Sequence, residues 1–417
     1  MTRRRVHDVA VVGAGMVGAA LALTLARAGF DVAVIEPRAA VPWKDTDEID
    51  LRVVALAPSS QDLFGRIGVW EAIQNARACS FRRMHVWDAL APGELTFDAA
   101  DRGLASLGYI VENRLIQHVL WQALQAETGL ALYCPAQVSG TDVESDRRSL
   151  LLADGARVSA RLVVGADGGD SALRKMINIA TGDRDYGQRA IVAHVRTERP
   201  HEQTAWQRFL PGATLAFLPL DDDPPLRSAH DLRDSSHSAR PGFAAHVCSI
   251  VWSVPDAEAT RLLALDDAAF CLELGAAFDF RLGAVHATTS RTAFPLRLKM
   301  AEQFVAERFA LVGDAAHVVH PLAGQGVNLG LRDVDELAEV LSAAREAGVD
   351  LAATSVLRRY ERRRRSDDVL SAKAFDGIQR AFASSFPPLS MLRGLGLSIA
   401  DRLGPVKRLL AAHAAGR

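Results

Sequence analysis

The chain has little cysteine. Its four cysteines in 417 residues, Cys79, Cys134, Cys248 and Cys271, are widely spaced and form no C-x-x-C pair. That excludes a disulfide scaffold and suits a reducing, cytoplasmic compartment. Net charge is nearly absent as well, at -2. There is then no global attraction to nucleic acid or acidic membranes, and small molecules are the expected partners. Tyrosine is scarce, with Tyr109, Tyr133, Tyr186 and Tyr360 only, and nothing in their spacing marks a proton relay. His317 and His320 stand without a second cluster of ligands at usable spacing, so no metal site is expected and no catalytic acid or base announces itself. The apolar stretch from Val9 to Ala26, behind Arg3, Arg4 and Arg5, resembles a leader or a short membrane span. Three glycines interrupt it, Asp8 opens it, and a strand-like run follows without a cleavage site, so it is read as part of the fold.

With 49% hydrophobic and 24% charged residues, the chain can bury a sizeable core and form more than one domain. Val6 to Val12 is a short apolar run rich in β-branched residues. Gly13-Ala14-Gly15-Met16-Val17-Gly18 follows, then an Ala/Leu-rich helix to about Ala28, then a strand from Asp31 to Ile35 that ends at Glu36. Each position of this βαβ unit has a mechanical reason. Gly13 makes the tight turn, Gly15 lets a pyrophosphate approach the backbone, Gly18 lets helix pack on strand, and Glu36 hydrogen-bonds a ribose. A glycine turn with no nucleotide remains the plainer alternative, and the motif alone does not choose FAD over NAD.

A second signal lies far down the chain. Phe309-Ala310-Leu311-Val312 reads as a buried strand running into Gly313-Asp314, and His320 to Gly330 follows. A carboxylate at the C-terminal end of a strand suits the hydroxyls of a ribityl chain, which makes Asp314 the candidate. Gly324, Gly326 and Gly330 allow a flat ring to lie against backbone, and a helix beginning near Asn328 points its positive end at that ring.

The run His320 to Asp333, HPLAGQGVNLGLRD, resembles the signature of the ubiquinone-biosynthesis hydroxylases, class A FAD-dependent aromatic monooxygenases with a p-hydroxybenzoate-hydroxylase-like fold. The resemblance extends to the N-terminal glycine turn, Asp50-Leu51-Arg52 with Ala55-Leu56, and Gly108 to Asn113. It also takes in Phe217 to Leu220, Val251 to Pro255 and Phe294-Pro295-Leu296. It implies FAD as cofactor, NAD(P)H and O2 as co-substrates, and hydroxylation of the ring of a prenylated phenol. It also implies cofactor contacts from Arg52, Arg114, Gln117, the backbone of Val138, Pro321 and Gln325. Asp167, in the strand-to-turn run Leu162 to Ser171, would support flavin and nicotinamide; a carboxylate capping the helix that starts near Ser171 is the equally physical alternative.

The fold class expected is α/β. A Rossmann-like FAD-binding domain covers 1–184 and 282–335, a β-sheet substrate domain is inserted at 185–281, and 336–417 is helical. Asp221 to Pro241 is polar and rich in breakers, and reads as a mobile insertion between two strands. Trp206, Phe217 and Trp252 either line the substrate pocket or belong to the sheet's core. Leu389 to Leu410 alternates apolar and basic residues as an interfacial helix does. This suggests peripheral contact with the inner membrane or a biosynthetic complex. A hydroxylase of soluble phenols, a flavin reductase that never hydroxylates, and a non-catalytic lipid escort are the other readings.

Overall fold

The computed structural model describes residues 5–90, 93–221, 246–318 and 326–365. The expected insertion, apart from Asp221, and the segment Leu389 to Leu410 lie outside the described residues.

The first sheet is built on Val6–Val12. This strand pairs in parallel with Val32–Ile35 on one side and Arg157–Gly165 on the other; Leu130–Tyr133 and Phe309–Leu311 extend the parallel array outward. Val9, Val11, Val34, Ile35, Val163 and Val164 have no exposed surface. Strands buried on both faces read as continuous apolar runs, which is why these were legible as strands. Helix Met16–Arg27 packs against helices Asn113–Ala126 and Gly326–Glu346, and these cover the sheet. A further helix over 354–365 buries Tyr360, whose hydroxyl donates to the Leu311 carbonyl at 2.8 Å.

The second sheet is antiparallel over most of its width. Its strands run in the order His317–Val318, Thr292–Ala301, Thr181–Thr197, Val247–Pro255, Ala213–Pro219, Thr204–Leu210, Arg83–Asp88, Glu94–Asp98. Its residues alternate between two environments, as the two-residue period of a strand requires. Ile191, Ala193, Leu215, Phe217, Ile250 and Trp252 pack under helices Asp256–Leu263 and Asp267–Ala277 with Phe270 and Phe278. Phe217 and Trp252 are therefore core, and Trp206 is partly buried against the same cluster. The other face carries Ala190, Val192, Leu218, Ser249 and Val251, which look into a cleft.

The sheet is wider than the interval 185–281 expected for it. The hairpin of Arg83–Asp88 and Glu94–Asp98 joins it through a parallel pairing with Thr204–Leu210, and Thr292–Ala301 and His317–Val318 complete the opposite edge. Covering an open edge removes a row of unpaired backbone groups, and the hairpin comes from far enough away that no local pattern announces it. A small third sheet, Val53–Leu56, Gly108–Glu112 and Ala78–Phe81, stands beside the hairpin.

Candidate active site

The glycine turn is held from both sides. Gly13 N–H donates to the Ile35 carbonyl at 2.9 Å, and Ala166 N–H donates to Val12 at 2.8 Å. Gly13 has φ +102°, and a Cβ there would lie 2.4 Å from the Ala166 oxygen; a Cβ on Gly18 would lie 2.0 Å from the Gly13 oxygen. Gly15 differs, because a Cβ there would meet nothing within 4 Å. Two glycines are thus required by the protein's own packing, and the third opens onto space left for a ligand. The helix behind the turn has neither a side-chain cap nor an acidic residue in its first turn, so its N–H groups and the positive end of its dipole face that space.

Glu36 sits at the end of the second strand, with its Oε2 accepting from Ala14 N–H at 2.6 Å and Oε1 from Arg38 N–H at 3.1 Å. The Glu36 carbonyl accepts from Ala136 N–H at 2.9 Å, which brings the chain leading to half-buried Val138 alongside. Gly13, Ala14, Gly15, Gly18, Glu36 and Val138 therefore come together at one end of the parallel strands.

Asp167 makes capping contacts beside the N-cap Ser171 of helix Ala172–Met176, and these do not exclude a ligand role. Its carboxylate accepts from Ser171 Oγ at 2.5 Å and from Leu173 N–H at 3.0 Å. Arg174 then donates to the carbonyls of Ala315 at 2.6 Å and Gly169 at 2.9 Å, which braces this turn against Gly313–Ala315.

Between the glycine turn and the second sheet lies a cleft of about 1730 Å³, counting its open mouth. Met16, Arg52, Asn113, Asp314 and Gly326 form one wall; Ala190, Val192, Leu218, Val251 and Phe294 belong to the other. The Arg52 guanidinium lies 5.6 Å from the centre of the Phe294 ring. Asp314 is reached by water through the cleft, yet the protein mass around it pushes its carboxyl above the usual range, with His317 and Arg52 opposing. Gly326 opens the helix Gly326–Glu346 onto the same space.

Other expected residues are used differently. Arg114 donates to Asp47 at 2.7 Å, and neither it, half-buried Gln117 nor Val138 lines the cleft. The side chain of Asn328 is committed to protein: its oxygen accepts from Ala57 N–H at 2.9 Å and Ser60 Oγ at 2.7 Å, and its amide donates to Ala55 at 2.7 Å. It clamps the end of the strand that carries Val53 and Val54 into the cleft. Pro321, Gly324 and Gln325 lie outside the described residues.

Sequence reasoning passed over the carboxylate that supports Asp314 from behind. Asp333 is fully buried and accepts from Gly313 N–H at 2.7 Å, from Arg364 Nε at 2.6 Å and from His317 Nε2 at 2.8 Å. Burial works to raise its carboxyl, but His317 and Arg364 hold it below the usual carboxylate range. The available signal was its position, one charged residue on a helix face otherwise made of Leu329, Val334 and Leu337. A second, apolar pocket was also missed: about 820 Å³ counting its open mouth, lined by Phe81, Met84, Phe97, Leu107, Ala216 and Leu218 among others.

Two cradles, one shaped for a pyrophosphate and one carrying a carboxylate at a strand end, face an apolar sheet across a roomy cleft. That arrangement defines a two-sheet flavoprotein whose residues fit FAD. A family model described as FAD binding domain matches residues 6–370, and the chain belongs to this family. It is 38% identical over 409 residues to the 3-demethoxyubiquinol 3-hydroxylase of Escherichia coli (strain K12), with 98% of each chain covered. It is 33% identical over 463 residues to the human mitochondrial ubiquinone biosynthesis monooxygenase COQ6, covering 98% of this chain and 92% of that one. The solved structure of p-nitrophenol 4-monooxygenase PnpA from Pseudomonas putida DLL-E4 superposes with a TM-score of 0.73 at 20% identity, covering 99% of both chains, and shares the fold. The cofactor is FAD. Among the described residues no helix is long and apolar enough to cross a membrane, and no group of three or more His, Cys, Asp or Glu could hold a metal ion.

Proposed function

We propose that this chain is an FAD-dependent monooxygenase that uses NAD(P)H and O2 to hydroxylate the ring of a prenylated phenol in ubiquinone biosynthesis. The observation that carries the reading is the cleft itself, with Asp314, Arg52 and the glycine turn on one side and the apolar row Ala190, Val192, Leu218 and Val251 on the other. The names of the relatives support the ring chemistry and the pathway.

The bound cofactor supplies the redox and oxygen-transfer chemistry. The chain does the rest. Gly13 to Gly18 and the helix terminus behind them hold the pyrophosphate, Glu36 the ribose and Asp314 the ribityl hydroxyls. Arg52 and the N-terminus of helix Gly326–Glu346 stabilise negative charge at the ring's pyrimidine edge. The sheet's apolar row orients the phenol and keeps water from the reacting atoms. In this assignment 1–184 and 282–335 hold the cofactor and 185–281 supplies most of the substrate wall. A peripheral contact with membrane or a biosynthetic complex belongs to the same proposal, and Leu389 to Leu410 is the segment that motivates it.

Purified protein should show a bound-flavin visible spectrum. NAD(P)H oxidation should be stimulated by a short-chain prenylphenol, and mass spectrometry with ¹⁸O2 should find labelled oxygen in the product. Hydroxylation of simple phenols alone would favour a soluble-phenol hydroxylase. Failure to bind flavin on reconstitution would remove the proposal.

A further inference from the structure

The run Leu51 to Val54 lines the cleft, and Arg52 is the cation it presents there. The Arg52 side chain is exposed, with the Phe294 ring centred 5.6 Å from its guanidinium and the Asp314 carboxyl attracting it from further off. A long, exposed side chain is aimed by its backbone. Whatever fixes the chain from Asp50 to Arg52 therefore fixes where this charge stands.

Most of that grip comes from the wall to which Arg52 itself belongs. Asp50 N–H donates to Glu112 at 2.6 Å, Arg52 N–H donates to the Asp50 carboxylate at 3.1 Å, and the Arg52 carbonyl accepts from Asn113 N–H at 2.9 Å. One contact comes from the other wall: His194 Nε2 lies 3.2 Å from the Asp50 carbonyl oxygen. His194 stands on the strand Thr181–Thr197 of the second sheet, two residues beyond Val192 of the apolar row and so on the same face. Its backbone is locked in turn, because its N–H donates to Thr289 Oγ1 at 2.9 Å and its carbonyl accepts from Thr289 N–H at 2.9 Å.

The ring's protonation fits a hydrogen bond in one direction. His194 is buried, and burial pushes its pKa below the usual histidine range against the pull of the Asp50 and Ile49 carbonyls. A neutral imidazole carries one N–H. Among the described residues Nδ1 meets no hydrogen-bond partner, whereas Nε2 faces a carbonyl oxygen, which can only accept. The proton therefore sits on Nε2 and is donated to Asp50. An aliphatic side chain would fill the same space and hold nothing.

We infer that His194 is a positioning residue: from the second sheet its Nε2–H pins the Asp50 carbonyl and so holds the Arg52 guanidinium at the cofactor's ring. The inference rests on the role proposed for Arg52 and adds the part of the opposite wall in setting it.

The test is a double-mutant cycle on flavin-loaded protein, read as FAD affinity and as the midpoint potential of the bound flavin. Arg52→Ala should weaken FAD binding roughly tenfold and shift the potential to more negative values, because the anionic reduced ring loses a nearby cation. His194→Leu should reproduce a large part of both shifts, yet add nothing to the potential shift in the Arg52→Ala background. His194→Gln keeps an N–H for the carbonyl and should restore most of the potential. A second measurement does not depend on whether the leucine variant folds: in ¹⁵N-histidine NMR of the parent at neutral pH, the imidazole signal that His194→Gln removes should carry its proton on Nε2. A proton on Nδ1, a glutamine variant no better than leucine, or shifts that add fully in the double variant would overturn the positioning role and leave the proposed function standing. So would a potential that Arg52→Ala moves and His194→Leu does not. A potential unmoved by Arg52→Ala would overturn the role of Arg52 together with that of His194.

Discussion

The imidazole Nε2 of His317 lies 2.8 Å from Oδ2 of Asp333, and neither side chain has more than a trace of exposed surface. The same carboxylate holds the Gly313 amide and the Arg364 guanidinium. One buried acid thus fixes the turn that presents Asp314, the helix that begins at Gly326 and the helix over 354–365. The geometry of the flavin wall depends on charges that never reach the cleft.

Asp333→Asn should therefore destabilise the protein by about 3–5 kcal/mol, because the buried Arg364 guanidinium loses its counter-charge and His317 its carboxylate partner. Urea unfolding measures it. The pH dependence follows from the depressed carboxyl. A group held below its unfolded value, near ~3.9, contributes stability that is fully present above that value and is lost as pH falls through the folded one. The parent should lose stability on acidification below about pH 4, and Asp333→Asn should show a flatter acid limb.

Gly15 and Gly18 should separate folding from cofactor binding. Gly18→Ala drives a Cβ to 2.0 Å from a backbone oxygen, and overpacking of this kind costs about 1–3 kcal/mol or more. Gly15→Val meets open space and sits where φ is -64°, so the apo-protein should unfold near the parent's temperature while FAD affinity falls by about tenfold or more. Thermal melts of the apo-proteins with parallel FAD titrations would show whether the two effects divide in this way. Equal stability losses in both variants would mean that Gly15, too, is required by packing.

What was legible in the chain was what lies close together in it. The unit from Val6 to Glu36 carries its strand, turn, helix and acid within one short stretch, and Asp314 sits directly after an apolar run. Alternation along Thr204–Leu210 or Ala213–Pro219 says that a strand has two faces but not which face meets the cleft, nor that Arg83–Asp88 will pair beside it. Asn328 shows the limit at a single residue. Its place beside the glycines marked it for the cofactor, but its side chain is turned to Ala55, Ala57 and Ser60, more than 250 residues away. The second cavity needed four separate chain segments to close, so no window of sequence contained it.

Asn328→Leu should expose that commitment. The substitution leaves the Ala57 N–H, the Ser60 hydroxyl and the Ala55 carbonyl without their partner, and each buried polar group left unpaired costs about 1–3 kcal/mol. A loss of at least about 2 kcal/mol in chemical denaturation is expected, together with weaker FAD binding because Arg52 to Val54 lead into the loosened segment. Unchanged stability would show that the three groups find other partners.

Asp314→Asn should act with opposite signs on folding and on binding. Enclosure by the cleft raises this carboxyl above its ordinary range, although water reaches it and moderates the effect. A carboxyl raised in the fold keeps its proton where the unfolded chain has already released it, so its contribution to stability declines as pH rises from about 3.9 through the folded value. At neutral pH the ionised group is a cost to the apo-protein, which the amide removes; the apo variant should melt no lower than the parent and show a smaller decline above about pH 4. FAD affinity should fall, because an uncharged amide is a weaker acceptor for ribityl hydroxyls than a carboxylate. Melting curves from pH 4 to 8 with and without FAD read both effects in one experiment. A variant that loses stability without the cofactor would assign Asp314 to the fold, whereas stability retained and FAD affinity lost would assign it to the ligand.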